Sequence, residues 1–152
     1  MMAYLVALHA LAAVIWIGGL FFMVCILRPA AAAMPLAERL PLLSNAMGRF
    51  FLCVWIAIIV LLVTGNTVVF MTGGMAAAPV YVHVMQGLGW VMFALFAHMF
   101  FAPWRRMRVA LAAGTLADAG RAMNQLRVLA GVNLALGLIV VVVGSGGRYG
   151  LI

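Results

Sequence analysis

A chain of 152 residues that is 69% hydrophobic and 7% charged has under a third of the ionic side chains of a soluble domain, where about 25% is usual, so a soluble globular enzyme is excluded. Disorder is excluded too, because it needs low hydrophobicity. The net charge of +7 comes from nine Arg against Glu38 and Asp118, with no Lys; these Arg fall between apolar runs, which points to membrane topology and anionic headgroups rather than to nucleic acid.

A hydrocarbon core of about 30 Å takes about 20 apolar residues of helix. The first span is Tyr4 to Leu27. It lacks a basic leading region and is longer than the apolar stretch of a cleavable leader, so it reads as a membrane helix. Beyond it, Pro29, Pro35 and Pro41 punctuate a stretch with Glu38 and Arg39 that suits a short interfacial helix. The second span is Phe50 to Met71 and the third Val80 to Ala102. Gly114 suits the C′ position of a third helix that continues past Pro103 and its arginines. Thr115-Leu116-Ala117-Asp118 has the spacing of a capping box. The fourth helix therefore starts near Leu116, with Val128 to Val143 as its apolar centre. The expected fold is all-α: one integral membrane four-helix domain over residues 1–152, with spans near 4–27, 50–71, 80–102 and 116–143.

The linkers differ in charge. Arg28, Arg39 and Arg49 lie between the first two spans, and Arg105, Arg106, Arg108, Arg121 and Arg127 between the last two. The stretch from Thr72 to Pro79 has no charge, and only Arg148 lies on that side. The positive-inside rule puts both Arg-rich linkers in the cytoplasm and both termini in the periplasm of a bacterial inner (plasma) membrane. Cys25 and Cys53 lie inside apolar runs, as small inert hydrophobes do. No Cys-x-x-Cys-His occurs, which excludes covalent c-type haem attachment.

His-x6-Trp-x12-Pro occurs twice, as His9, Trp16, Pro29 and as His83, Trp90, Pro103, at a constant offset of 74 residues. Phe22 and Phe96 match at the same offset, and Thr72-Gly73-Gly74 and Ser145-Gly146-Gly147 close the two halves. Each half would be one helical hairpin in a parallel pseudo-repeat. His9 and His83 then lie within about 3 Å of one level on helices running the same way. Each has a small residue at i+4, Ala13 or Gly87, which leaves room for a flat macrocycle and equally suits helix packing.

An ionisable residue inside a membrane is costly and is a functional candidate by default; the competing reading of a single His near a helix end is an interfacial residue. Two at one depth favour a shared ligand role. Imidazole pairs without carboxylate or thiolate, in an apolar bundle, suit the iron of b-type haem. His98 has Val24 as its repeat partner, so it reads as interfacial. Met85, Met92 and Met99 recur every seven residues. Soft thioethers select Cu(I), but heptad neighbours about 10 Å apart cannot share one ion, and packing is the commoner use. Met1, Met2 and His9 form a weaker outer copper candidate. Asn66, Gln86 and Asn133 can bridge helices, bond a propionate or hold a quinone; Gln86, one turn from His83, is the best functional candidate of the three.

The run Leu8-His9 through Trp16-Ile17-Gly18-Gly19-Leu20-Phe21 to Arg28-Pro29 resembles the start of CopD-type membrane domains, linked to copper resistance or uptake. The third span with His83 and the Arg-rich end after Pro103 resemble short members of that superfamily. His-x6-Trp-x-Gly-Gly-Leu-Phe is also similar to the first helix of HemJ-type protoporphyrinogen oxidases, four-helix membrane proteins associated with haem b. The resemblance supports His9 as a functional residue. The residues together point first to a bis-His haem b protein, with His9 and His83 as iron ligands and Ala13, Gly87, Trp16, Trp90 and Gln86 around them. Electron transfer or a haem-dependent oxidoreductase reaction near the periplasmic face, with a redox partner or quinone, would follow. CopD-like copper handling is the alternative, and a cofactor-free scaffold the third. Gly131, Gly137 and Gly144 permit close packing with a helix of a second copy, as in a homodimer, or with the chain's own helices.

Overall fold

The computed structural model describes residues 1–150; Leu151 and Ile152, the end of the expected domain, lie outside the described residues. The described residues form four long helices and no strand: α1 (Met2–Ala33), α2 (Leu36–Met71), α3 (Val80–Ala112) and α4 (Leu116–Gly147). All four are long and apolar enough to cross a membrane. The protein is a multi-pass membrane four-helix bundle in a lipid bilayer.

Each helix outruns its expected span. At 32 to 36 residues the helices are about 48–54 Å long, against about 30 Å of hydrocarbon. The excess lies mainly at the Arg-rich end. The interfacial helix expected around Pro35 and Pro41 is not separate but is the first part of α2. Pro35 occupies the N-cap, where a missing N–H leaves no intrahelical bond unmade. Pro41 removes one bond further in, yet Leu40 and Leu43 beside it are buried, and tertiary packing holds the turn.

The prolines of the repeat leave a common mark. α1 widens into a π turn at Phe22–Leu27, just before Pro29, and α3 does so at Phe100–Trp104, around Pro103. A proline ring clashes with the carbonyl four residues back, and π winding moves that carbonyl aside. At the uncharged turn Gly73 has φ +101°, and the Gly74 N–H reaches the Val69 carbonyl at 2.9 Å. Gly114, φ +72°, ends α3 as expected, with Thr115 N–H on the Ala110 carbonyl at 2.9 Å. The capping box does not form. The Thr115 hydroxyl donates back to the Ala110 carbonyl at 3.1 Å, and Asp118 pairs with Arg121.

α1 packs along α2 and α3 along α4, giving the two expected hairpins, and α4 also touches α1 and α2. Aromatic rings join α2 to α3. Phe51 meets Phe96 and Trp104 at 5.4 Å each, and Trp55 meets Phe96 at 5.2 Å and Phe100 at 5.7 Å, all edge to face. That geometry adds about 0.5–1.5 kcal/mol per pair beyond the area buried. α1 joins this cluster through Trp16 on Phe96 at 6.0 Å.

The glycines of α4 serve contacts within the chain. A Cβ on Gly137 would lie 2.9 Å from Ile17 Cγ1 and 3.2 Å from Met92 Cε, and one on Gly144 would lie 2.8 Å from Met85 Cε. Met85 and Met92 thus seat as knobs in glycine hollows one heptad apart. Gly131 faces open space.

Candidate functional site

His9 sits seven residues into α1 and Thr64 seven from the end of the antiparallel α2, so the two side chains meet at one level. The His9 Nδ1 to Thr64 Oγ1 distance is 2.9 Å. The Thr64 hydroxyl donates its own proton to the Val60 carbonyl at 2.6 Å. The proton in the bond to His9 must then come from the imidazole. His9 is therefore the Nδ1–H tautomer, with the Nε2 lone pair unused by this bond. Gly65 makes the approach feasible: a Cβ there would stand 3.1 Å from His9 Cε1. Thr64 and Gly65 escaped sequence reasoning. The signal was Thr64-Gly65-Asn66, a polar and small break in the second apolar run at the depth of His9.

The other expected site residues do not gather around His9. His83 and Gly87 are exposed on α3, Gln86 is half-buried, and His98 is exposed. Trp16 is 4% exposed while its repeat partner Trp90 is 52% exposed. Ala13 is half-buried and packs on the core. At the His and Trp positions the first half of the repeat thus faces inward and the second outward, whereas the matched Phe pair is reversed, with Phe22 49% exposed and Phe96 1%. A haem held by His9 and His83 needs both rings in one interhelical space, but His9 turns to α2 and α1 meets α3 through Trp16 on Phe96. These residues do not fit a haem cradle within one chain. Among the described residues, no group of three His, Cys, Asp or Glu gathers where it could hold a metal ion.

Two further features carry polar or soft atoms inside the bundle. Asn133 is fully buried and donates through Nδ2 to the Met92 carbonyl at 3.3 Å, bridging α4 to α3. Its Oδ1, like Trp16 Nε1, has no partner. Asn66 bonds back to the Leu62 carbonyl within its own helix. The thioethers are more suggestive. Met23 of α1, Met47 of α2 and Met123 of α4 line one small cavity of about 30 Å³. Three residues with soft side chains, from three helices, thus line a space of about the size of one ion or water, alongside Arg28 and Arg127. Met92, Met99 and Met107 are buried along α3. The heptad stripe was legible in the sequence; this convergence across helices was not.

Residues 44–146 match the family model described as CopD, copper resistance protein D. The match supports the CopD-type resemblance through the residues from 44 onward, the Leu8–Pro29 run lying outside it, and does not show the HemJ one. No curated protein and no solved structure matches the chain.

Proposed function

The chain belongs to the CopD, copper resistance protein D, family, and from that premise we propose that it handles copper within the membrane, passing Cu(I) through the bundle in uptake or resistance. Copper is cargo in this reading, not a resident cofactor. The observation that carries it beyond the family is the convergence of Met23, Met47 and Met123 on one small cavity. Thioethers are soft, uncharged ligands that select Cu(I) over harder ions. Their helices come from both hairpins, so the donor set exists only in the folded bundle. The Nε2 of His9 offers a borderline donor near the opposite end, and Met92 and Met99 are buried in the bundle. The proposal also takes the Arg-rich end as cytoplasmic and the membrane as the inner membrane, on the charge asymmetry of the linkers.

The test compares cells expressing the chain with cells carrying an empty vector, both exposed to copper. Cell copper is measured by mass spectrometry. Expression of the chain should change cell copper, and the Met23→Leu/Met47→Leu/Met123→Leu variant, nearly volume-conserving, should return it to the vector level at equal protein abundance. Equal copper with and without the chain would overturn the proposal.

A further inference from the structure

At the Arg-rich end α1, α2 and α4 part around a second, larger cavity of about 320 Å³. Arg28 of α1 and Arg39 of α2 line it, together with Leu36, Leu40 and Leu43 of α2 and Met123 of α4. It adjoins the methionine-lined lobe, with which it shares Arg28, Leu43 and Met123, and that lobe adds Arg127 of α4. Arg28 and Arg39 thus line the larger cavity and Arg28 and Arg127 the smaller, and neither lining includes an Asp or Glu.

Like charges gathered at a low-dielectric surface repel one another, and Arg28 shares a cavity lining with Arg39 and another with Arg127. Arg39 uses one donor on the Ala32 carbonyl at 3.1 Å; a guanidinium has five, in a fork that matches phosphate oxygens. The ion pair between Arg121 and Asp118 lies outside this lining. What the cavity needs is an anion with several acceptor oxygens. Beside the arginines and Asn124, the leucines and Met123 give the wall an apolar part, which a hydrated free ion would not use but a lipid would. Basic pockets between transmembrane helices are suited to anionic headgroups.

We propose that this cavity is a binding site for an anionic phospholipid, its phosphate held by Arg28 and Arg39 with Arg127 adding charge, and its apolar part against Leu40, Leu43 and Met123. It shares Arg28, Leu43 and Met123 with the methionine-lined cavity, and the experiment that tests it involves no copper.

The experiment uses the full chain purified in mild detergent, with lipid retention read by native mass spectrometry. Phosphatidylglycerol should be retained at least about tenfold over phosphatidylcholine. Arg28→Gln/Arg39→Gln should lower phosphatidylglycerol retention on the order of tenfold or more, from the typical worth of a basic residue near anionic lipid. Arg28→Lys/Arg39→Lys should keep most of the retention, and Arg105→Gln/Arg108→Gln, on exposed residues outside the cavity, should keep all of it. Inorganic phosphate at millimolar concentration should fail to displace the lipid. Equal retention of the two lipids, or an unchanged Arg28→Gln/Arg39→Gln variant, would overturn the site. Displacement by inorganic phosphate would assign it to a free anion and overturn the lipid proposal.

Discussion

Replacing Gly137 by Ala tests whether α4 packs its glycines against its own chain. The added Cβ would stand 2.9 Å from Ile17 Cγ1 and 3.2 Å from Met92 Cε, inside ordinary contact distance. Met92 is flexible and can yield. Ile17 is β-branched with a stiff χ1 and is 8% exposed, so the backbone must move instead. Overpacking of this kind costs about 1–3 kcal/mol. Gly131 is the internal control, since a Cβ there meets nothing within 4 Å. Gly131→Ala should be neutral or gain up to about 1 kcal/mol from helix propensity. The two variants should therefore differ by about 1–4 kcal/mol in a denaturing-detergent titration of the purified bundle. Ile17→Ala removes the clashing atom, so the double variant should show a favourable coupling of about 0.5–3 kcal/mol. If Gly137→Ala matched Gly131→Ala, or if Ile17→Ala gave no rescue, the intrachain packing of α4 would be refuted. A dimer that dissociated on Gly137→Ala without monomer destabilisation would refute it equally.

Thr64→Val removes the acceptor for His9 Nδ1–H and should cost about 1–3 kcal/mol if the proton is left without a partner; nitrogen NMR of labelled histidine should report the Nδ1–H tautomer in the parent and a mixture in the variant, and an Nε2–H tautomer in the parent would contradict the hydrogen-bond assignment. Asn133→Leu deletes one bond of the size measured in membranes, about 0.6 kcal/mol, together with an orphan acceptor, so stability should change by no more than about 1 kcal/mol; a larger loss would mean that Oδ1 has a partner such as a bound water. Alkaline-phosphatase fusions should be active at Gly73 and inactive at Ala112, and the opposite pattern would invert the proposed topology.

The four spans, the Gly73 and Gly114 turns and the hairpin pairing were legible because hydropathy and glycine conformation are local properties. The helix ends were not. Hydropathy marks where lipid lies, whereas α2 from Leu36 and α3 as far as Ala112 are held by contacts between helices, such as Arg106 on Gln125 at 2.7 Å. The site was legible only in part. The repeat set His9 and His83 at one depth, but depth is translation along a helix, and rotation about it is decided by what packs. Trp16 turns in and Trp90 out although their spacing to the two histidines is the same. The partner of His9, 55 residues away, and the convergence of Met23, Met47 and Met123 depend on three-dimensional packing that no periodicity within one helix encodes.

The most direct measurement is Cu(I) binding by the purified chain under anaerobic conditions, in competition with a coloured Cu(I) chelator, with iron and the visible spectrum recorded on the same sample. Copper handling predicts Cu(I) bound at about one per chain in a colourless protein, weakened at least about tenfold in the Met23→Leu/Met47→Leu/Met123→Leu variant, the smallest loss expected when even an outer-shell partner is removed. A Soret band shifting on dithionite reduction, with stoichiometric iron and no competition for Cu(I), would contradict it.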